Sequence, residues 1–152
     1  MAADEVELQG RRRAERLVPV RDIAGDDDED TRLLWGMADE ARTYFASFSW
    51  CKEIYTGYFA GGVGGVFAIF LFHIRPARTE VDPWIWAVVG NIPPAYLPIS
   101  DAASPREAFE TYISGMRRWV KAALSGDKKA AAAANVPPVE TAGEARFVGR
   151  DH

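Results

Sequence analysis

Residues 54–74 form an unbroken run of 21 residues without Asp, Glu, Lys or Arg, and no other feature constrains the fold as strongly. An uncharged run of this length can span a bilayer as a helix. Gly57, Gly61 and Gly65 fall at four-residue steps, the close-packing pattern of membrane helices, and Arg75 and Arg78 suit a cytoplasmic flank. The competing reading is a β-hairpin whose turn is Gly61-Gly62-Val63-Gly64-Gly65. Each glycine there costs a helix about 1 kcal/mol relative to Ala. The flanks, Ile54-Tyr55-Thr56-Gly57-Tyr58-Phe59 and Val66-Phe67-Ala68-Ile69-Phe70-Leu71-Phe72, are aromatic and β-branched, as strands are. The second flank is apolar at nearly every position and suits a central strand covered on both faces. The hairpin is the favoured reading.

The neighbouring segments complete an α+β pattern. Leu33, Leu34, Met37, Ala41, Tyr44, Phe45 and Phe48 recur at three- and four-residue steps, which predicts an amphipathic helix over residues 31–48, capped by Asp30 or Thr31. Trp84-Ile85-Trp86-Ala87-Val88-Val89 reads as a third strand ending at Gly90-Asn91. Ala95-Tyr96-Leu97-Pro98-Ile99 reads as a short extended edge behind Pro93-Pro94. Ser104-Pro105-Arg106-Glu107 is a capping box with proline at the first helical position. Phe109, Tyr112, Ile113, Met116, Val120 and Ala123 then give one apolar face, and Gly126 is a natural stop. The expected architecture is a small antiparallel sheet of three to four strands covered by two amphipathic helices packed on one face.

All five Trp and all five Tyr fall within residues 31–125. The domain is therefore expected over residues 31–126, with flexible tails at residues 1–30 and 127–152 and at most a short helical stretch near Ala14 to Val18. The net charge of −4 argues against nucleic acid as a partner, because backbone binding needs a surplus of Lys and Arg on one face. The Arg11-Arg12-Arg13 cluster is offset by Asp26-Asp27-Asp28-Glu29-Asp30, and opposite charge blocks of this kind mostly solvate a tail. Cys51 is the single cysteine, so no internal disulfide forms, which suits a reducing compartment. The N-terminus has no apolar secretory region. A cytoplasmic protein is expected.

Few residues point to chemistry. His73 and His152 are the two histidines, and no Cys/His spacing matches a zinc site. No metal ligand, cofactor site or catalytic residue is assigned. Cys51 with His73 and Glu53 is a conceivable nucleophilic set, but one Cys and one His in a small chain meet easily by accident. The glycine run lacks the Gly-Lys-Ser/Thr ending of a phosphate loop. Residues 84–97 are the most unusual segment. Trp84 and Trp86 point to one sheet face, and core packing is the favoured account of them. The rigid loop behind them makes Asn91, Pro93, Pro94 and Tyr96, with Trp84 and Trp86 as neighbours, the candidate partner-binding edge.

The segment Asp82-Pro83-Trp84-Ile85-Trp86-Ala87-Val88-Val89-Gly90-Asn91-Ile92-Pro93-Pro94-Ala95-Tyr96-Leu97 resembles an uncharacterised bacterial family of small α+β proteins. Trp50-Cys51-Lys52, the glycine-rich turn before a Phe-rich strand, and Asn135-Val136-Pro137-Pro138 extend the resemblance over residues 31–138. It implies a bacterial, cytoplasmic protein and brings no activity and no functional residue. The expected function is a non-catalytic protein-binding module, adaptor or immunity-like, with an unknown protein partner. The alternatives are a homo-oligomer that hides surplus apolar strand surface, or a small-ligand-binding protein or enzyme with a pocket near Cys51, Glu53, Tyr55 and His73.

Overall fold

The computed structural model describes residues 3–125. Gly126, and with it the expected C-terminal tail, lies outside the described residues. Residues 54–74 fold as the hairpin: β2 (Cys51–Val63) and β3 (Phe67–Pro76) pair antiparallel, and β4 (Trp84–Gly90) and β5 (Ala95–Pro98) follow in order. A two-residue strand, β1 (Val18–Pro19), joins the outer side of β2, so the sheet is a five-stranded meander in the order β1-β2-β3-β4-β5. No described helix is long and apolar enough to cross a membrane.

The turn is shorter than the glycine run suggests. Gly61 and Gly62 belong to β2, and the chain reverses only at Gly64, Gly65 and Val66. Gly62 has a φ of 152°, and a Cβ there would overlap the Phe67 carbonyl and the Ala68 backbone. The close approach of β2 to β3 at this point therefore requires glycine.

Strand β3 sends Phe70, Phe72 and Ile74 to one side and Ile69, Leu71 and His73 to the other, and β4 sends Ile85, Ala87 and Val89 against Trp84, Trp86 and Val88. Helix α2 (Asp28–Ala46) covers the first face with Leu34, Met37, Ala38, Ala41 and Phe45. Helix α1 (Ala3–Ala14) and helix α3 (Pro105–Ser125) cover the second, through Val6 and Ala14 and through Ala108 and Tyr112. The helices thus lie on both faces and not on one. Strands apolar on both sides demand this, because each fully buried side chain of Phe or Leu size contributes about 1.5–3 kcal/mol. Cover on both faces also accounts, within one chain, for the apolar strand surface that motivates self-association through the sheet.

Residues 3–30 are not a loose tail. Val6, Gly10 and Ala14 fall on one buried stripe of α1, and Ile23 is buried under α2. Gly10 explains why the stripe packs: a Cβ at this position would overlap the Trp84 ring, so the helix backbone rests directly on the indole. The acidic run is equally structural. Asp27 is the N-cap of α2 and its carboxylate accepts from Asp30 N at 2.8 Å. Asp30 in turn accepts from Asp26 N at 2.9 Å and from Gly64 N in the hairpin turn at 2.7 Å. At the other end Ser104 Oγ accepts from Glu107 N at 3.2 Å, while the Glu107 carboxylate accepts from Ala103 N at 3.3 Å. This is the predicted capping box with its return bond shifted by one residue.

Candidate functional site

Two features adjoin each other where α1 meets the sheet. The first is an open strand edge. β1 pairs only with Tyr58 and Phe59, so residues 52–57 have no described strand on their outer side. The register of β2 against β3 slips between Cys51 and Glu53 and between Ile54 and Thr56, which leaves Lys52 and Tyr55 as extra residues. The second slip brings both Tyr55 and Thr56 to the His73 side of the sheet: the Tyr55 ring meets the imidazole edge-on at 5.1 Å, and Thr56 is its cross-strand partner.

The second feature is a cleft of about 520 Å³ between α1 and this edge, lined by Arg11, Glu15, Leu17, Thr56, Tyr58, His73 and Trp84. Thr56 belongs to both features. The cleft wall is held by Glu7, whose carboxylate accepts from Trp84 Nε1 at 2.9 Å and lies 3.3 Å from Arg11 Nε and 3.5 Å from His73 Nε2. The imidazole stacks on the Trp84 indole at 4.1 Å and 3° between planes. Burial pushes the His73 pKa down and Arg11 adds to this, against the opposing pull of Glu7. His73 is therefore a neutral, stacked wall residue.

The conceivable Cys51–His73–Glu53 set is not assembled. Cys51 packs with the α2-side core whereas His73 belongs to the opposite face. Burial raises the Cys51 thiol pKa, which opposes formation of the nucleophilic thiolate. Glu53 pairs instead with Arg75 across the strands at 3.3 Å. Among the described residues, no group of three or more His, Cys, Asp or Glu side chains is placed to hold a metal ion.

The candidate partner-binding edge of residues 84–96 separates into core and rim. Trp84, Trp86 and Tyr96 are buried at 2%, 0% and 4% exposure, so none of the three projects from the surface as an exposed anchor. Trp86 donates its indole N–H to Ala102 O at 2.7 Å, and Tyr96 packs among Phe48 and Trp50. Pro93 and Pro94 are half-buried, and the Pro93 carbonyl accepts from the Tyr112 hydroxyl at 2.7 Å. Asn91 is exposed, and its backbone N–H donates to Val66 O at 2.8 Å. The loop is thus tied to α3 and to the hairpin turn. The physical reason is that a Trp-x-Trp pair on a strand covered on both faces goes under a helix.

The open edge itself was signalled only by absence: β2 is long and its outer neighbour contains two residues, one of them Pro19. No family model, no curated protein and no solved structure matches the chain.

Proposed function

We propose that the protein is a non-catalytic binding module that takes up an extended segment of a partner protein along the outer edge of β2. The observation that carries this reading is the open edge at residues 52–57 lying beside the cleft, with Thr56 common to both. An added strand makes main-chain hydrogen bonds for affinity, and its alternate side chains reach pockets for specificity. Here one such side chain enters the cleft between Tyr58, His73 and Arg11. The bulges at Lys52 and Tyr55 twist the edge and reject flat, unmatched strands, which limits promiscuous pairing. An adaptor or immunity-like role in the bacterial cytoplasm, the setting implied by the family resemblance, needs nothing more chemical than this.

The test is selection from a random peptide library, followed by affinity measurement on the native protein and on Ile54→Pro. Ile54 pairs with Ile74, whose N–H donates to Pro83 O on the β4 side, so the Ile54 N–H points away from β3 to the open edge, and proline removes it and crowds the approaching strand. Selected peptides should bind the native protein and lose at least about tenfold in affinity on Ile54→Pro, about 1.4 kcal/mol, with the melting temperature as the control for folding. A concentration-dependent dimer that competes with every peptide would instead assign the edge to a second copy of the chain.

A further inference from the structure

A second, smaller cleft opens on the far side of the sheet from the α1 cleft, and its chemistry is different. It encloses about 210 Å³ between the β3–β4 connection and the end of β5, with Trp50 and Tyr96 as an aromatic base and Arg78, Asp82, Ser100 and Asp101 on its walls. Among the described residues, two N–H donors on this lining are buried without a hydrogen-bond partner: Trp50 Nε1 and Arg78 Nε. The Trp50 side chain is 2% exposed, and Glu80 Oε1 lies 3.4 Å from Arg78 Nε without hydrogen-bond geometry. Buried donors left unpaired cost free energy and call for an acceptor. The opposite chemistry stands beside them. Asp82 is fixed by Ser100, whose N–H and hydroxyl both donate to Asp82 Oδ2 at 3.2 and 2.7 Å, and Oδ1 has no hydrogen bond among the described residues. Asp101 adds a second carboxylate.

We infer that this cleft binds the headgroup of an α-amino acid, with the carboxylate on Trp50 Nε1 and Arg78 and the ammonium on Asp82 and Asp101. A plain anion would face the carboxylates of Asp82, Asp101 and Glu80 with one guanidinium to offset them. A plain cation would leave both N–H donors unpaired. Only a ligand bearing both groups satisfies both sets. The volume is several times the roughly 30 Å³ that a water molecule occupies, and it lies below the roughly 300 Å³ at which drug-sized sites begin. It suits a small metabolite. This site is independent of the β2 edge and of any peptide bound there.

The matched probes are L-alanine, propionate and ethylamine, which carry the two charged groups together and one at a time. The readout is the indole N–H resonance of Trp50, assigned through bonds on the wild-type protein so that no Trp50 variant is needed. L-alanine should shift that resonance saturably at millimolar concentration. Propionate and ethylamine should bind about tenfold or more weakly, because each lacks one charge-assisted contact. Arg78→Met should remove the L-alanine response, with the wild-type melting temperature as its control. A Trp50 resonance unmoved by L-alanine, an equal response to propionate, or a full response in Arg78→Met would each overturn the assignment.

Discussion

His73 on β3 and Trp84 on β4 are direct cross-strand partners whose rings stack in parallel at 4.1 Å, and Glu7 of α1 bridges them. This contact joins the N-terminal helix to the sheet and builds the wall of the α1 cleft. Its protonation state follows from burial, which holds the His73 pKa below the ordinary 6.5. The unfolded chain therefore takes up the proton first as pH falls. The stability due to neutral His73 is complete above pH 6.5 and is lost as the pH drops through and below that value. Melting temperatures of the wild type should fall between about pH 7 and about pH 5 more steeply than those of His73→Gln, and the difference between the two curves isolates this residue from the carboxylates.

Gly10 lets α1 rest on the Trp84 ring, so Gly10→Ala sets two effects against each other. Alanine improves helix propensity by about 1 kcal/mol. Its Cβ overlaps the indole, and overpacking of this kind costs about 1–3 kcal/mol. The overlap falls on a buried ring that cannot swing away, so the variant should be less stable than the wild type. Urea unfolding followed by tryptophan fluorescence measures it. An unchanged or higher midpoint would mean that α1 can lift from Trp84 at no cost.

Tyr112 is pinned by its hydroxyl bond to Pro93 O, and burial raises its pKa to about 12. Tyr112→Phe leaves that carbonyl without its partner and should cost about 1–3 kcal/mol in chemical denaturation. The raised value also has a signed consequence. The unfolded chain loses the phenol proton near pH 10 and the folded chain only near 12, so stability should fall as pH rises above 10. Tyr112→Phe should flatten that alkaline loss.

Asp30 holds three segments together through its two carboxylate oxygens and its own N–H: the Asp26 backbone, the Gly64 turn and the Asp27 cap. Asp30→Ala removes two charge-assisted bonds and should destabilise by about 1.5–3 kcal/mol or more, with the hairpin turn loosened. Asp28→Ala, in the same acidic run and with no side-chain hydrogen bond among the described residues, is the control. Thermal unfolding of the two variants separates a structural carboxylate from a solvating one.

Much of the fold is legible in the residues. The hairpin follows from the strand character of its flanks, β4 and β5 begin where Trp84 and Ala95 place them, and α3 starts at Pro105 behind Ser104. What could not be read is α1. Its buried stripe is Val6, Gly10 and Ala14, small residues that meet a large indole, so no run of large apolar side chains marks it. Missing α1 also hides the cleft, whose wall is half helix. The two-sided cover of β3 and β4 is implicit in their unbroken apolar runs. It shows that a second helical layer was needed, and α1 with α3 supplies it. The open edge of β2 escapes reading because it depends on how little chain β1 contributes, a tertiary fact. The slip at Tyr55 that turns Tyr55 and Thr56 toward His73 leaves no trace in composition.

Backbone amide hydrogen exchange on β2, with and without a library-selected peptide, tests the central claim most directly. The outward-facing amides within residues 52–57 should exchange fast in the free protein and slow on binding, while β3 and β4 stay unchanged. Protection that appears elsewhere, or a bound peptide that leaves residues 52–57 exchanging as before, would contradict the edge-binding account.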